Sequence, residues 1–365
     1  MIITFMIGNG FDVGLGMRSR FKDFFPVYLA NSVSKEDDIK QLSEKIGDHY
    51  DTWADFELQM GRYTGEFTPP DMRKLLAQFR DFETEFMQYL GAEQDKLSFE
   101  DTATISQMML SGLKDFYSTK NLQYGSSIAI STVLQQKAGE ERKFNFISFN
   151  YTSVLENCLN TIPNGIIETR KHGSSTLKDT VGKIVHVHGT RSNAPIMGVC
   201  DSSQIASKEL ASNDRFLQSI VKPRINAAHR TNQNENASAF IENSTIICIY
   251  GMALGATDKN WWNKILLWLN GSGERQLVIF DYDPLFSTES QFDWIEKEYA
   301  ILDKLSSYDD AKKVDIEKLR PRIHIAVHKN IFSMDLAKEY NEIMDSAFDM
   351  LTARVSNLER IKTRM

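Results

Sequence analysis

Hydrophobic residues in this chain gather into short unbroken runs, set apart by long stretches with helical spacing. Six runs read as strands: "IITFMI" at 2–7, "FNFISF" at 144–149, "KIVHVH" at 183–188, "TIICIY" at 245–250, "QLVIFDY" at 276–282 and "RIHIAV" at 322–327. Most are continuously apolar and do not alternate, the pattern of strands covered on both faces of a parallel sheet. Helical stretches lie between them, so the expected fold class is α/β, doubly wound and mainly parallel.

The longest interval, 20–140, predicts a large helical insertion after the first strand. Within it Thr68-Pro69-Pro70-Asp71 reads as an N-cap with prolines in the first turn. Leu75, Phe79, Phe82, Phe86 and Leu90 then recur at helical spacing. Ser98-Phe99-Glu100-Asp101 resembles a capping box with Asp at its last position. Another helical excursion separates the third and fourth strands, broken by the polar "HRTNQNENAS" at 229–238, which reads as a surface loop. Residues 331–365 predict a long C-terminal helix with Leu336, Tyr340, Ile343, Met344, Phe348 and Leu351 on one face. The expected organisation is one α/β domain over 1–365: the insertion at 20–140, the rest of the core at 141–330, and the terminal helix.

Composition adds limits. A chain of 365 residues, 42% hydrophobic and 25% charged, is an ordinary globular protein. A net charge of −7 argues against a nonspecific nucleic-acid binder. No apolar run approaches the ~18 residues of a membrane span, and no basic n-region of an export signal opens the chain. Cys158, Cys200 and Cys248 are far apart with no C-x-x-C pair, as expected of reduced core thiols in a cytoplasmic protein.

Candidate chemistry sits at the strand ends, because ligands of open α/β sheets bind outside the carboxyl ends of the strands. The first strand delivers Gly8-Asn9-Gly10-Phe11-Asp12 and the second Ser148-Phe149-Asn150-Tyr151-Thr152. The third ends in His186-Val187-His188-Gly189-Thr190, and the fourth runs on through Gly251 and Leu254 to Asp258. The fifth ends in Asp281-Tyr282-Asp283-Pro284. A strand, a glycine turn and a helix form a geometry that lets backbone N–H groups approach a phosphate. The spacing here is G-x-G-x-x-x-G, one residue off the dinucleotide fingerprint, and no strand ends in an acid about 20 residues later. Sheet cores have no need of an Asn and a His at matched ends. A neutral His can accept a proton at cellular pH, and an Asn amide can hold a hydroxyl and a water together.

"IGNGFDVGLGMRSRFKDF", W-x-D-F-E at 53–57, "FNYT", "HVHG" and "GMALGATDKNWW" resemble, in that order, the AbiH family of phage abortive-infection proteins. The order of glycine turn, Asn at a strand end, His-Gly and Gly-x-x-Leu is also distantly similar to the sirtuin-like, Rossmann-like NAD-binding superfamily. That likeness implies an NAD pocket, with NAD as substrate or ligand. Asn150, His188 and Asp12 would be its catalytic residues. Gly8, Asn9, Gly10 and Phe11 would contact the cofactor from the first turn, Thr152 and Gly189 from the middle strands, and Gly251, Leu254 and Asp258 from the later loop. Thr152 stands where sirtuins carry Asp, and no zinc-binding Cys module is present, so the implied chemistry is NAD cleavage without an acyl acceptor. The implied partners are a nucleotide and a phage-derived trigger, with homo-oligomer formation left open.

Other readings stand beside these. His186 and His188 lie on one strand face and form a zinc-like His-x-His pair, but no nearby third ligand completes it, and no metal is expected. Asn150 competes with Thr152 and Ser153 as cap of the next helix. Asp55 or Glu57 of the W-x-D-F-E segment is expected to reach the pocket, whereas Trp261 and Trp262 read as core, and His324 and His328 have no motif. The chain contains no G-x-x-x-x-G-K-[ST], G-x-S-x-G or H-E-x-x-H. The function expected is NAD hydrolysis in phage defence. A non-catalytic nucleotide sensor and a nuclease are the alternatives.

Overall fold

In a computed structural model, residues 1–335 are described, apart from 284, 285, 287–289, 310–313 and 328. The terminal helix expected at 331–365 therefore lies, from 336 onward, outside the described residues, as do Pro284 and His328.

Among the described residues one mixed sheet of seven strands organises the fold: β1 (Ile2–Ile7), β2 (Lys143–Ser148), β3 (Ile166–His172), β4 (Ser175–His186), β5 (Ile246–Tyr250), β6 (Gln276–Asp281) and β7 (Ile323–Val327). Their spatial order is β3-β4-β2-β1-β5-β6-β7. Only the β3–β4 pair is antiparallel; the others run parallel. Numbered along the chain, the parallel strands take the order 3-2-1-4-5-6, which reverses between β1 and β5. The apolar runs explain the layering. Ile3, Phe5 and Ile7 of β1 pack into one cluster with Phe24, Phe82 and Phe116. Met6 turns to the other face and joins Ile147, Ile249 and Trp262. Thr4, the polar break in the first run, is satisfied by the Ser244 hydroxyl at 2.6 Å.

The expected strand at 183–188 is found as the end of β4, which stops at His186, but the hairpin that β3 makes with the first half of β4, 175–182, has no counterpart among the expected strands. Its exposed, alternating "IIETRKH" and "STLKDTVG" lack the apolar continuity of a buried strand, and it is held by Arg170 gripping Asp179 through Nε and Nη2, each at 2.8 Å. Two further expectations are corrected. Of the polar stretch at 229–238, residues 233–238 begin the helix Gln233–Asn243 rather than a loop, because Ala237 and Ile241 bury one face; only 230–232 break the chain, with Arg230 and Asn232 in left-handed conformation. The helix Thr102–Asp115 is capped by Asp101, whose Oδ1 accepts from Thr104 N at 3.0 Å, not by Ser98.

The interval between β1 and β2 is helical as expected, with α1 (Gly10–Gly14), α2 (Phe21–Ser32), α3 (Asp37–Asp48), α4 (Phe56–Tyr63), α5 (Met72–Gln94), α6 (Thr102–Asp115) and α7 (Tyr124–Gln136). The Thr68 cap is present, with Asp71 Oδ2 accepting from Thr68 Oγ1 at 2.7 Å. Phe56 and Phe82 stack at 3.6 Å between ring centres and lock α4 against α5. Gln94, the last residue of α5, accepts from Ser153 N and donates to Ser153 Oγ, both at 3.0 Å. The insertion is thereby tied to the loop after β2, beside the strand ends.

Candidate functional site

Strand register decides which residues meet. Ile7 pairs with Ser148 and with Tyr250, Ser148 with His186, and Tyr250 with Phe280, so these strands finish level on one edge. Beyond that edge lies a cavity of about 960 Å³, roofed in part by Phe21, Phe86 and Leu90 of the insertion. Its volume is at the upper end of ordinary ligand pockets, ~300–1,000 Å³. Gly8, Asn9, Gly10, Asp12, Asn150, Thr152, His188, Gly251, Leu254 and Asp258 all line it. Phe11 and Gly189 do not. Phe11 is buried in the core against Tyr250 and Phe332, and Gly189 makes a turn at φ +68° whose inner side is filled by the backbone of Ala194.

The glycines serve close backbone approach. A Cβ on Gly8 would sit 2.7 Å from Gly251 O, and one on Gly10 would sit 2.5 Å from Gly251 Cα. Gly251 itself has φ +69°, a conformation that favours glycine. The β1 and β5 loops can touch only because all three lack side chains. Two of their N–H groups are consumed by the same contact, Gly8 N donating to Tyr250 O (2.9 Å) and Gly10 N to Gly251 O (2.8 Å), and Phe11 N donates within the turn to Gly8 O (3.0 Å). Asn9 closes the turn through Ser19, which donates to Asn9 Oδ1 at 2.5 Å.

Asn150 is the centre of the polar floor. Its Nδ2 donates to Gly8 O at 3.2 Å and to Asp12 Oδ1 at 3.0 Å. Two acceptors on one side fix the orientation of the amide. Asn150 Oδ1 is left buried without a hydrogen-bond partner among the described residues. Thr152 Oγ1 donates to Asp12 Oδ2 at 2.5 Å, so Asn150 and Thr152 hold Asp12 rather than cap the helix Val154–Leu159. Burial pushes the Asp12 carboxyl up to about 7, against the opposing pull of those two donors. A carboxyl group poised there can give or take a proton at neutral pH.

A buried charge cluster forms a second wall. His188 Nε2 donates to Asp258 Oδ1 at 3.0 Å. Lys222 Nζ reaches the same oxygen at 3.0 Å, lies 3.3 Å from His188 Nε2, and donates to Glu57 Oε2 at 2.6 Å. Glu57 Oε1 also accepts from Gly198 N at 3.2 Å. Burial would raise Asp258, but Lys222 and His188 overcome it and hold the carboxyl well below the usual range. Burial would likewise discharge Lys222, yet Asp258 and Glu57 keep it charged. In the neutral tautomer that donates Nε2–H to Asp258, His188 carries its free lone pair on Nδ1. Glu57 and Asp55 both reach the cavity from the W-x-D-F-E segment, and Asp55 additionally caps α4 by accepting from Leu58 N at 3.2 Å. Lys222 had no signal in the sequence. Its partners lie 165, 36 and 34 residues away, and a buried lysine reads like any surface one.

The two histidines of the His-x-His pair diverge. His186 bonds Asn150 O through Nδ1 at 3.0 Å and Glu156 through Nε2. Burial disfavours its charge, but Glu156 more than compensates and raises its pKa. Trp261 and Trp262 are core, and Trp262 Nε1 donates to Gly255 O at 2.8 Å. His324 is buried against Gln276, and burial lowers it to about 4.

A family model described as bacteriophage abortive infection AbiH matches residues 4–282, a span that contains every cavity residue named above. No curated protein matches the chain.

Proposed function

The chain belongs to the AbiH family of bacteriophage abortive infection proteins, and we propose that it serves that defence by hydrolysing the nicotinamide–ribose bond of NAD or of a related nucleotide. The antiphage abortive-infection role follows from the family. The chemistry is inferred from the cavity.

One observation carries the reading. A buried amide, Asn150, is clamped on Asp12 by its nitrogen and leaves its oxygen without a donor, beside a carboxyl that titrates near pH 7. An unpaired buried carbonyl oxygen costs about 1–3 kcal/mol, which a ribose hydroxyl or a water would relieve. Glycoside cleavage needs a positioned water and a base. Nicotinamide departs as a neutral pyridine, taking the bonding pair. Water adds to the ribose carbon, and its proton passes to the Asp12 carboxylate. His188, held by Asp258 and with Nδ1 bare, is placed to accept from a ribose hydroxyl. The parallel-strand order 3-2-1-4-5-6 is that of Rossmann-like dinucleotide-binding sheets, with ligands at the reversal point. The cavity lies across that point, between β1 and β5, which supports a nucleotide ligand. The distant sirtuin-like resemblance in "FNYT" and "HVHG" supports NAD in particular.

Purified protein incubated with NAD should release free nicotinamide, and Asn150→Ala should lower the rate by ~10²-fold or more. Nucleotide binding by calorimetry with no nicotinamide from the wild type would turn the site into a sensor. Cleavage of RNA or DNA by a chain inert toward NAD would make it a nuclease.

A further inference from the structure

The Gly8–Gly10 turn has no N–H of Gly8, Gly10 or Phe11 left to hold a phosphate, since all three donate within the protein. A diphosphate in the cavity cannot be held by these three groups, and its charge calls for cations. The charges lining the cavity show where these lie. Its acids are mostly compensated internally: Glu57 and Asp258 by Lys222, at 2.6 and 3.0 Å, and Asp281 by Lys297 at 2.6 Å. Asp12 accepts from Asn150 and Thr152. Three lining cations have no such partner. Arg20 and Lys22 at the start of α2, and Lys329 just after β7, are exposed and make no side-chain hydrogen bond or ion pair among the described residues. Against them stands, among the described residues, one exposed carboxylate with no ion pair, Asp55. The exposed side of the cavity is therefore positive in a chain whose net charge is −7.

We infer that Arg20, Lys22 and Lys329 form the diphosphate-binding subsite of this cavity, selecting phosphorylated nucleotides over nucleosides. The inference rests on the nucleotide reading of the site. The three residues come from two elements far apart in sequence, the start of α2 and the segment after β7, and all line the same cavity. A diphosphate bridging them would neutralise the surplus charge with charge-assisted hydrogen bonds, while the ribose and base pass inward to Asn150. Arg20 supplies a planar fork suited to two phosphate oxygens, and the lysines act as point charges.

The test is calorimetric titration of the full chain with ADP-ribose, inorganic pyrophosphate and nicotinamide riboside, for the wild type, Arg20→Gln/Lys22→Gln and Lys329→Gln. All three positions are exposed, so the variants should fold, which a thermal melt checks. Each lost cation should weaken ADP-ribose and pyrophosphate roughly 3- to 10-fold, the loss shrinking at high salt, with nicotinamide riboside unchanged. Equal ADP-ribose affinity in all three proteins would overturn the subsite, as would a wild type that prefers an oligonucleotide and ignores pyrophosphate. Nicotinamide release from NAD is followed in parallel. Cation-dependent ADP-ribose binding without release would refute the hydrolysis reading and leave the subsite standing. Release with unchanged KM in the variants would do the reverse.

Discussion

Asp12→Asn separates chemistry from stability at one atom. In the folded chain the Asp12 carboxyl titrates near 7, against 3.8 for an unperturbed Asp. At 1.36 kcal/mol per pH unit, a rise of that size amounts to about 4 kcal/mol. The sign follows from proton uptake. Between the two values the folded state holds a proton that the unfolded state has lost, so stability falls as pH rises. The contribution is fully present below pH 3.8 and gone once pH passes through about 7. The asparagine variant carries no such dependence. Its side-chain oxygen still accepts from Asn150, and the Thr152 hydroxyl can rotate to accept from the new amide. With unfolding entropy near 2.1 cal/mol/K per residue over 365 residues, 4 kcal/mol corresponds to ~5 °C. Thermal melts of both proteins from pH 4.5 to 8.5 should nearly coincide at the acid end. At pH 8.5 the variant should melt about 5 °C higher while turning over NAD ~10²-fold or more slowly. A constant offset at every pH would refute the raised pKa, and with it the role of Asp12 as proton acceptor.

Other substitutions probe the scaffold. Lys222→Met strands Glu57 and Asp258 without their cation and should cost ~3–5 kcal/mol in denaturant unfolding, with partial recovery on adding Glu57→Gln; an unchanged midpoint would mean the cluster is solvated. Gly10→Ala drives a methyl to within 2.5 Å of Gly251 Cα, whereas Gly14→Ala meets nothing closer than 3.9 Å. The first should lose ~2 kcal/mol or more and the second stay within ~0.5 kcal/mol by the same assay. Similar losses would remove the close-approach explanation of the glycine turn.

The core strands were legible because a strand covered on both faces must be almost wholly apolar, as Ile246 to Tyr250 are and as Ile3 to Ile7 are except for Thr4. The same criterion hides β3, whose Glu168, Arg170 and Lys171 suit a partly solvated hairpin. Asn-rich 233–238 resembles a loop by composition, yet burial of Ala237 and Ile241 decides for a helix, as tertiary packing overrides propensity. Asn150, Asp12 and His188 were identifiable from strand-end position, since parallel register alone brings such residues to one edge. Their pairing was not. The Asn150–Asp12 and Thr152–Asp12 bonds join residues 138 and 140 apart, and nothing local distinguishes a threonine that holds a carboxylate from one that caps a helix. The glycines mark a turn in the sequence, but the partner they approach is Gly251 backbone, visible only once β1 and β5 are neighbours.

If this cavity destroys NAD during infection, the loss is visible in the cell. Its most direct measurement is cellular NAD, followed after phage challenge in cells carrying the wild-type chain, Asn150→Ala or His188→Ala at matched protein levels. The account predicts that NAD falls, growth arrests and phage yield drops with the wild type alone. Protection that persists in either variant, with NAD unchanged in all three strains, would contradict it.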